Sequence, residues 1–213
     1  MTLVFRSIIL NHLQDIYRGC NDVAILCIYC NHKEQTTQTV LNLIASLLKQ
    51  MVLDHPTTYR RVKTFYDEFR KSRKYFPMLE NIQELLQSEM ENFRKVFLVV
   101  DALDECCEIN GTQTKLLMTL RSFTKANLLI TSRNLASIEK NLRGTKRHVI
   151  SAHDEDVRRY VKNRILRTPR LQMHVDECPT LREDLVEKIT SNVQGMYVCC
   201  SHSTSFLVFV NNR

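Results

Sequence analysis

Lys95-Val96-Phe97-Leu98-Val99-Val100-Asp101-Ala102-Leu103-Asp104-Glu105 is the stretch that decides the fold. A half-exposed surface strand alternates apolar and polar residues, whereas Val96 to Val100 is apolar without a break, which reads as a parallel strand buried on both faces. The run ends abruptly in carboxylates spaced D-x-x-D-E, so the carboxyl edge of the strand opens into a polar site. In that position Asp101 is suited to hold Mg²⁺, and Asp104 or Glu105 to orient a water. A polar loop after a strand is the plainer alternative. A second buried run, Asn127 to Thr131, follows one helix later and ends in Ser132-Arg133, which makes the pair more specific. Parallel strand ends lie side by side, so Arg133 is expected to point to where a γ-phosphate would sit, with a purely structural arginine as the alternative.

Outward from these two strands the chain alternates strand and helix signals. Val23 to Tyr29 reads as another buried strand, after the turn Gly19-Cys20-Asn21-Asp22. Thr36 and Thr37 then begin a helix carrying Val40, Leu41, Ile44, Leu47, Leu48 and Met51. Helical spacing also marks Thr2 to Tyr17, a basic region opened by Pro56, the segment Met78 to Met90, and a helix through Leu116, Leu117 and Leu120. His148 to Ile150 is a weak strand. Asp154-Glu155-Asp156 supplies an acidic first turn to a helix reaching Leu166, a placement that favours the positive end of the helix dipole. Pro169 and Pro179 are expected to bracket a linker, and Leu181 to Val193 to form a last helix stopped by Gly195. Phe206 to Val210 reads as an isolated strand. The expected fold is α/β, a parallel sheet covered by helices on both faces.

Composition narrows the class. With 213 residues, 44% hydrophobic and 25% charged, the chain can bury a full core. Leu3 to Leu13 is interrupted by Arg6, Asn11 and His12, so it is neither a signal peptide nor a membrane span; a cytoplasmic protein is expected. The eight cysteines form no secreted disulfide framework and are expected to be reduced. Cys27-x-x-Cys30-x-His32 has zinc-like spacing without a second ligand pair, so no zinc site is expected. The formal charge of +7 permits nucleic-acid binding. The cations nevertheless sit among acids and beside turns, without interleaved aromatics, so nucleic acid is not an expected partner and a membrane is not either.

The segments VAILCIYCNHKEQ (23–35), TQTVLNLIASLLKQ (37–50), FLVVDALDEC (97–106), NLLITSRN (127–134) and ITSNVQGM (189–196) together resemble the NACHT module of STAND-type signalling NTPases, in its nephrocystin-like branch. The resemblance spans about residues 2 to 197, and DALDEC and TSR are its specific elements. It implies a three-layer P-loop NTPase-type fold with a C-terminal helical segment: a partial NACHT domain over 2–152, its helical part over 153–197, and a divergent tail over 198–213. It implies ATP or ADP with Mg²⁺ as ligand, a nucleotide-controlled oligomerisation switch as function, and other protein chains as partners. By this resemblance Asp101 is the Walker B carboxylate, Asp104, Glu105 and Arg133 are catalytic candidates, and Thr2 joins Asp101 as a nucleotide and Mg²⁺ contact.

None of Gly19, Gly111, Gly144 and Gly195 lies in a G-x-x-x-x-G-K-[ST] phosphate loop. Against the family pattern the chain is therefore expected to open inside the Walker A element, lacking that element's strand, and to bind nucleotide weakly or not at all. The absent strand would be interior, between the Asn127 strand and His148 to Ile150, and Phe206 to Val210 is expected to enter that gap. A non-enzymatic interaction module and a basic nucleic-acid-binding protein are the alternative functions.

Overall fold

A computed structural model of the chain describes residues 2–71, 77–108, 110–133, 135–150, 153–193 and 205–211. In order these form α1 (Thr2–Ile16), β1 (Val23–Tyr29), α2 (Val40–Asp54), α3 (Pro56–Lys71), α4 (Leu79–Met90), β2 (Lys95–Asp101), α5 (Thr112–Ser122), β3 (Ala126–Arg133), α6 (Ala136–Asn141), β4 (Lys146–Ile150), α7 (Asp154–Leu166), α8 (Pro169–Glu177), α9 (Pro179–Val193) and β5 (Ser205–Asn211). The described residues divide into two compact units, one within 2–148 with 206–211, the other within 149–193 with Ser205.

The first unit is built on the parallel trio β1-β2-β3. Its register aligns three rows of side chains across the sheet: Ala24-Val96-Ala126, Leu26-Leu98-Leu128 and Ile28-Val100-Ile130. All nine are buried, and they share one core with Ile44, Leu47 and Met51 of α2, Leu86 and Met90 of α4, and Leu116 and Leu120 of α5. Residues one step along a strand face the opposite side. There Phe97 meets the ring of Tyr17, just past α1, at 5.2 Å between centroids. Helical segments thus meet both faces, as the unbroken apolar runs require.

The complete sheet has the order β1-β2-β3-β5-β4. The C-terminal strand therefore stands inside the sheet, between β3 and β4, the place anticipated for the apolar run Phe206 to Val210. β4 begins two residues before the expected His148 and includes Lys146 and Arg147.

Two local expectations are corrected. Helix α2 starts at Val40, not at Thr36 or Thr37, because Thr39 is the residue whose hydroxyl accepts the amide of Asn42, at 3.2 Å. The segment between Pro169 and Pro179 is a helix, not a linker. Pro169 occupies the first turn of α8 and Pro179 opens α9, where the missing N–H removes a donor that has no intrahelical partner anyway. The second unit packs α7, α8 and α9 around Val157, Val161, Ile165, Val175 and Val186. Gly195, expected to stop α9, lies outside the described residues, as does all of the expected tail before β5.

Candidate functional site at the carboxyl edge of the parallel strands

β2 delivers Asp101 to the end of the central strand of the trio, in register with Tyr29 of β1. Its side chain is fully buried. Burial of a carboxylate is costly unless hydrogen bonds replace water, and β3 supplies one: the Thr131 hydroxyl donates to Asp101 Oδ1 at 2.5 Å. The same hydroxyl accepts the amide of Ala102 at 3.0 Å. Ala102 adopts φ 56°, ψ 48°, left-handed backbone that an alanine enters at a cost of about 1–2 kcal/mol. Thr131 therefore secures both the carboxylate and the strained residue that turns the chain out of the strand.

After this bend Leu103–Glu105 make one turn of 3₁₀-helix. It is tied to α5 by Gln113, whose Nε2 donates to the Leu103 carbonyl at 3.0 Å. The turn sets Asp104 against β3, where both its oxygens are engaged by one residue: the Arg133 amide donates to Oδ1 at 2.9 Å and Arg133 Nε to Oδ2 at 2.5 Å. The Asp104 side chain is 4% exposed and that of Arg133 43%. Bonding to Asp104 pushes the guanidinium further above its ordinary range, so it stays charged. A cavity of about 190 Å³ opens on the same arginine, floored by Leu135, Ile138 and Leu142.

Glu105 turns toward the end of β1. Its Oε2 accepts the His32 amide at 3.3 Å and lies 3.3 Å from His32 Nδ1. Next to it, the Cys30 amide donates to the Asp101 carbonyl at 3.0 Å. The Cys30 and Cys106 thiols are both buried and hydrogen-bond to each other. The contact with Cys106 and burial push the Cys30 pKa up, and the same contact draws that of Cys106 down. Cys30 is therefore engaged with Cys106. Among the described residues no three His, Cys, Asp or Glu side chains converge on a common metal position.

Of the residues expected at the site, the structure brings Asp101, Asp104, Glu105 and Arg133 to one edge of the sheet. It joins Asp104 to Arg133 directly, an arrangement the sequence does not reveal because the partners are 29 residues apart. Thr2 is the first residue of α1, and its side chain lies outside the described residues. Thr131 was legible only as the end of an apolar run; the signal was a hydroxyl residue two positions before Arg133 on a strand adjacent to β2. In the sequence His32 stands out only by its zinc-like spacing from Cys27 and Cys30.

In kind, a buried carboxylate at this edge fits a hard cation, since Mg²⁺ is usually held by one or two carboxylates with phosphates and waters completing the shell. The described residues do not fit the rest of a nucleotide triphosphate: they contain no glycine-rich loop of amides to cradle it.

A protein-family model described as nephrocystin 3, N-terminal, matches residues 2–133, more than half of the chain, with Asp101, Asp104, Glu105, Thr131 and Arg133 inside the match. Neither the curated proteins nor the solved structures contain a match. Among the described residues no helix is long and apolar enough to cross a membrane.

Proposed function

The chain belongs to the nephrocystin 3 N-terminal family, and on that premise we propose that it is the NTPase-derived part of a NACHT-type signalling protein whose nucleotide-holding edge is the carboxyl end of β2 and β3. The observation that carries the reading is the register of the parallel trio. Asp101 ends the central strand, fixed by Thr131, while Asp104 and Arg133 face each other one step further out. A sheet of P-loop NTPase type uses the same edge of its parallel strands for ligands.

In this reading Mg²⁺ and ATP or ADP are the ligands of the site, and the metal supplies charge neutralisation on phosphate oxygens. The chain's own residues do the rest. Thr131 orients the Asp101 carboxylate, and Asp104 holds Arg133 in its charged form. Glu105 links the turn after β2 to the end of β1 through His32. Asp104 meets Arg133 through its amide and Nε, and a phosphate is proposed to meet the same guanidinium beside that pair. Residues 1–213 are proposed to bind nucleotide weakly, because the amides and lysine of a phosphate loop are not among them. The protein is proposed to act in the cytoplasm, through other protein chains.

A fluorescent ATP analogue titrated into the protein with and without Mg²⁺ tests the assignment, read against Asp101→Asn, which keeps an oxygen for Thr131. The reading expects weak binding that needs both Mg²⁺ and Asp101. Binding indifferent to the cation and to Asp101→Asn contradicts it.

A further inference from the structure

Among the described residues β1 ends the sheet on its side, with β2 as its strand neighbour. An outer strand is a hazard, because its outward N–H and C=O groups are a template for another chain. The usual defences are missing from β1 itself: Val23 to Tyr29 contains no charge, proline or glycine, and its register with β2 runs without a bulge. Cys30 gives its amide to the Asp101 carbonyl at 3.0 Å, so the even-numbered residues turn their backbone groups toward β2. Ile25, Cys27 and Tyr29 therefore turn theirs to the outer edge. Asn31, extended at φ −139° and ψ 118°, prolongs that row. Two glutamines stand on it. The side-chain amide of Gln50, near the end of α2, accepts the Cys27 amide at 2.8 Å and donates to the Cys27 carbonyl at 2.8 Å. Gln38, just ahead of α2, repeats the pattern on Asn31: Oε1 accepts its amide at 3.1 Å and Nε2 donates to its carbonyl at 3.2 Å.

We propose that Gln38 and Gln50 are edge guards, which keep β1 from pairing with β1 of a second copy of this chain. A side-chain carboxamide offers the same donor and acceptor as a peptide group, so each glutamine reproduces the two bonds that a further strand would make with that residue. Cys27 and Asn31 lie four residues apart, about 13 Å along the row, and an incoming strand would have to displace both amides. Neither amide is loosely held. Helix α2 is fixed in the core by Ile44, Leu47 and Met51, Gln50 Nε2 also donates to the Ser46 carbonyl at 3.2 Å, and Gln38 is buried. The sequence of β1 names the partner that is kept out. An uncharged apolar strand meets its own copy without charge repulsion, and a two-fold arrangement lets one edge serve both chains. This inference does not depend on nucleotide binding.

The test compares the whole chain with Gln38→Met and Gln50→Met, singly and together, because methionine keeps the length and helix preference of glutamine without its amide. Sedimentation velocity over a wide range of concentration measures self-association, and amide hydrogen exchange at Cys27 reports whether the edge is the surface used. The double variant is expected to associate at least about tenfold more tightly than the parent, about 1.4 kcal/mol, with Gln50→Met between them. The Cys27 amide should exchange faster in the dilute double variant than in the parent and regain protection as the variant associates. Arg61→Ala, which perturbs the ion pair to Glu89 rather than the β1 edge, controls for association through partial unfolding and should associate no more than the parent. Far-ultraviolet circular dichroism confirms that each variant is folded; if the double variant is not, the same two readings on Gln50→Met decide. The proposal is overturned if the folded variants associate no more than the parent, if they associate while the Cys27 amide stays unprotected, or if Arg61→Ala associates as they do.

Discussion

Replacing Thr131 by valine keeps the volume of the side chain and deletes one hydroxyl, so it isolates the bond that fixes Asp101. Two hydrogen bonds go with it, the 2.5 Å bond to Asp101 Oδ1 and the 3.0 Å bond from the Ala102 amide. A bond to a charged group contributes about 1.5–3 kcal/mol, and leaving a buried amide without its acceptor costs about 1–3 kcal/mol. The two overlap at one atom and do not add fully, so the expected loss is about 3–5 kcal/mol. That is a large part of an ordinary stability of about 5–15 kcal/mol. The chain has no tryptophan, so urea unfolding is followed by far-ultraviolet circular dichroism. Thr131→Ser keeps the hydroxyl and should lose less than about 1.5 kcal/mol. A valine variant within about 1 kcal/mol of the parent, or a serine variant as damaged as the valine one, refutes the reasoning that this hydroxyl secures the site.

Arg61→Ala should destabilise by about 2–4 kcal/mol, because the Glu89 side chain, 3% exposed, loses the three guanidinium bonds that offset its burial. The figure lies below the fully buried case since Arg61 is 42% exposed, and urea unfolding should show Glu89→Gln recovering part of it in the double variant. His55, packed edge-on to Phe93 at 4.5 Å, has its pKa lowered from 6.5 by burial, partly offset by Asp54. The unfolded chain therefore binds the proton more readily. Stability is full above the unfolded pKa and declines as pH falls through about 6.5 toward the folded value. His55→Leu should remove that part of the slope between pH 7 and 5, measured as urea midpoints against pH.

The parallel trio was legible because each strand is a continuous apolar run, and a run of that kind has few homes other than a buried strand. The carboxylate edge was legible for the same reason: D-x-x-D-E and T-S-R mark where such runs meet polar surroundings. What the sequence concealed is pairwise. That Asp104 closes on Arg133, Glu105 on His32 and Cys30 on Cys106 depends on strand order and register, and no local pattern encodes the partner of a side chain 29 or 73 residues away. Local chemistry also misled in two places. Pro169 and Pro179 read as the bounds of a linker, although proline is as much a helix starter at the first turn. Thr36, Thr37 and Thr39 all offer a capping hydroxyl, and only the fold selects Thr39.

In the proposed function the carboxyl edge of β2 and β3 holds Mg²⁺-nucleotide, and residues 1–213 contain no glycine-rich loop to grip its phosphates. Titration calorimetry with ATP and Mg²⁺ tests both halves when residues 1–213 are compared with the same domain carrying a strand and a glycine-rich phosphate loop fused ahead of Thr2. Two charge-assisted contacts of about 1.5–3 kcal/mol each already exceed the roughly 2.7 kcal/mol of a hundredfold difference. The account predicts binding at least about a hundredfold tighter in the loop-bearing form, lost there on Asp101→Asn. Micromolar, Mg²⁺-dependent binding by residues 1–213, or a loop-bearing form indifferent to Asp101→Asn, would contradict it.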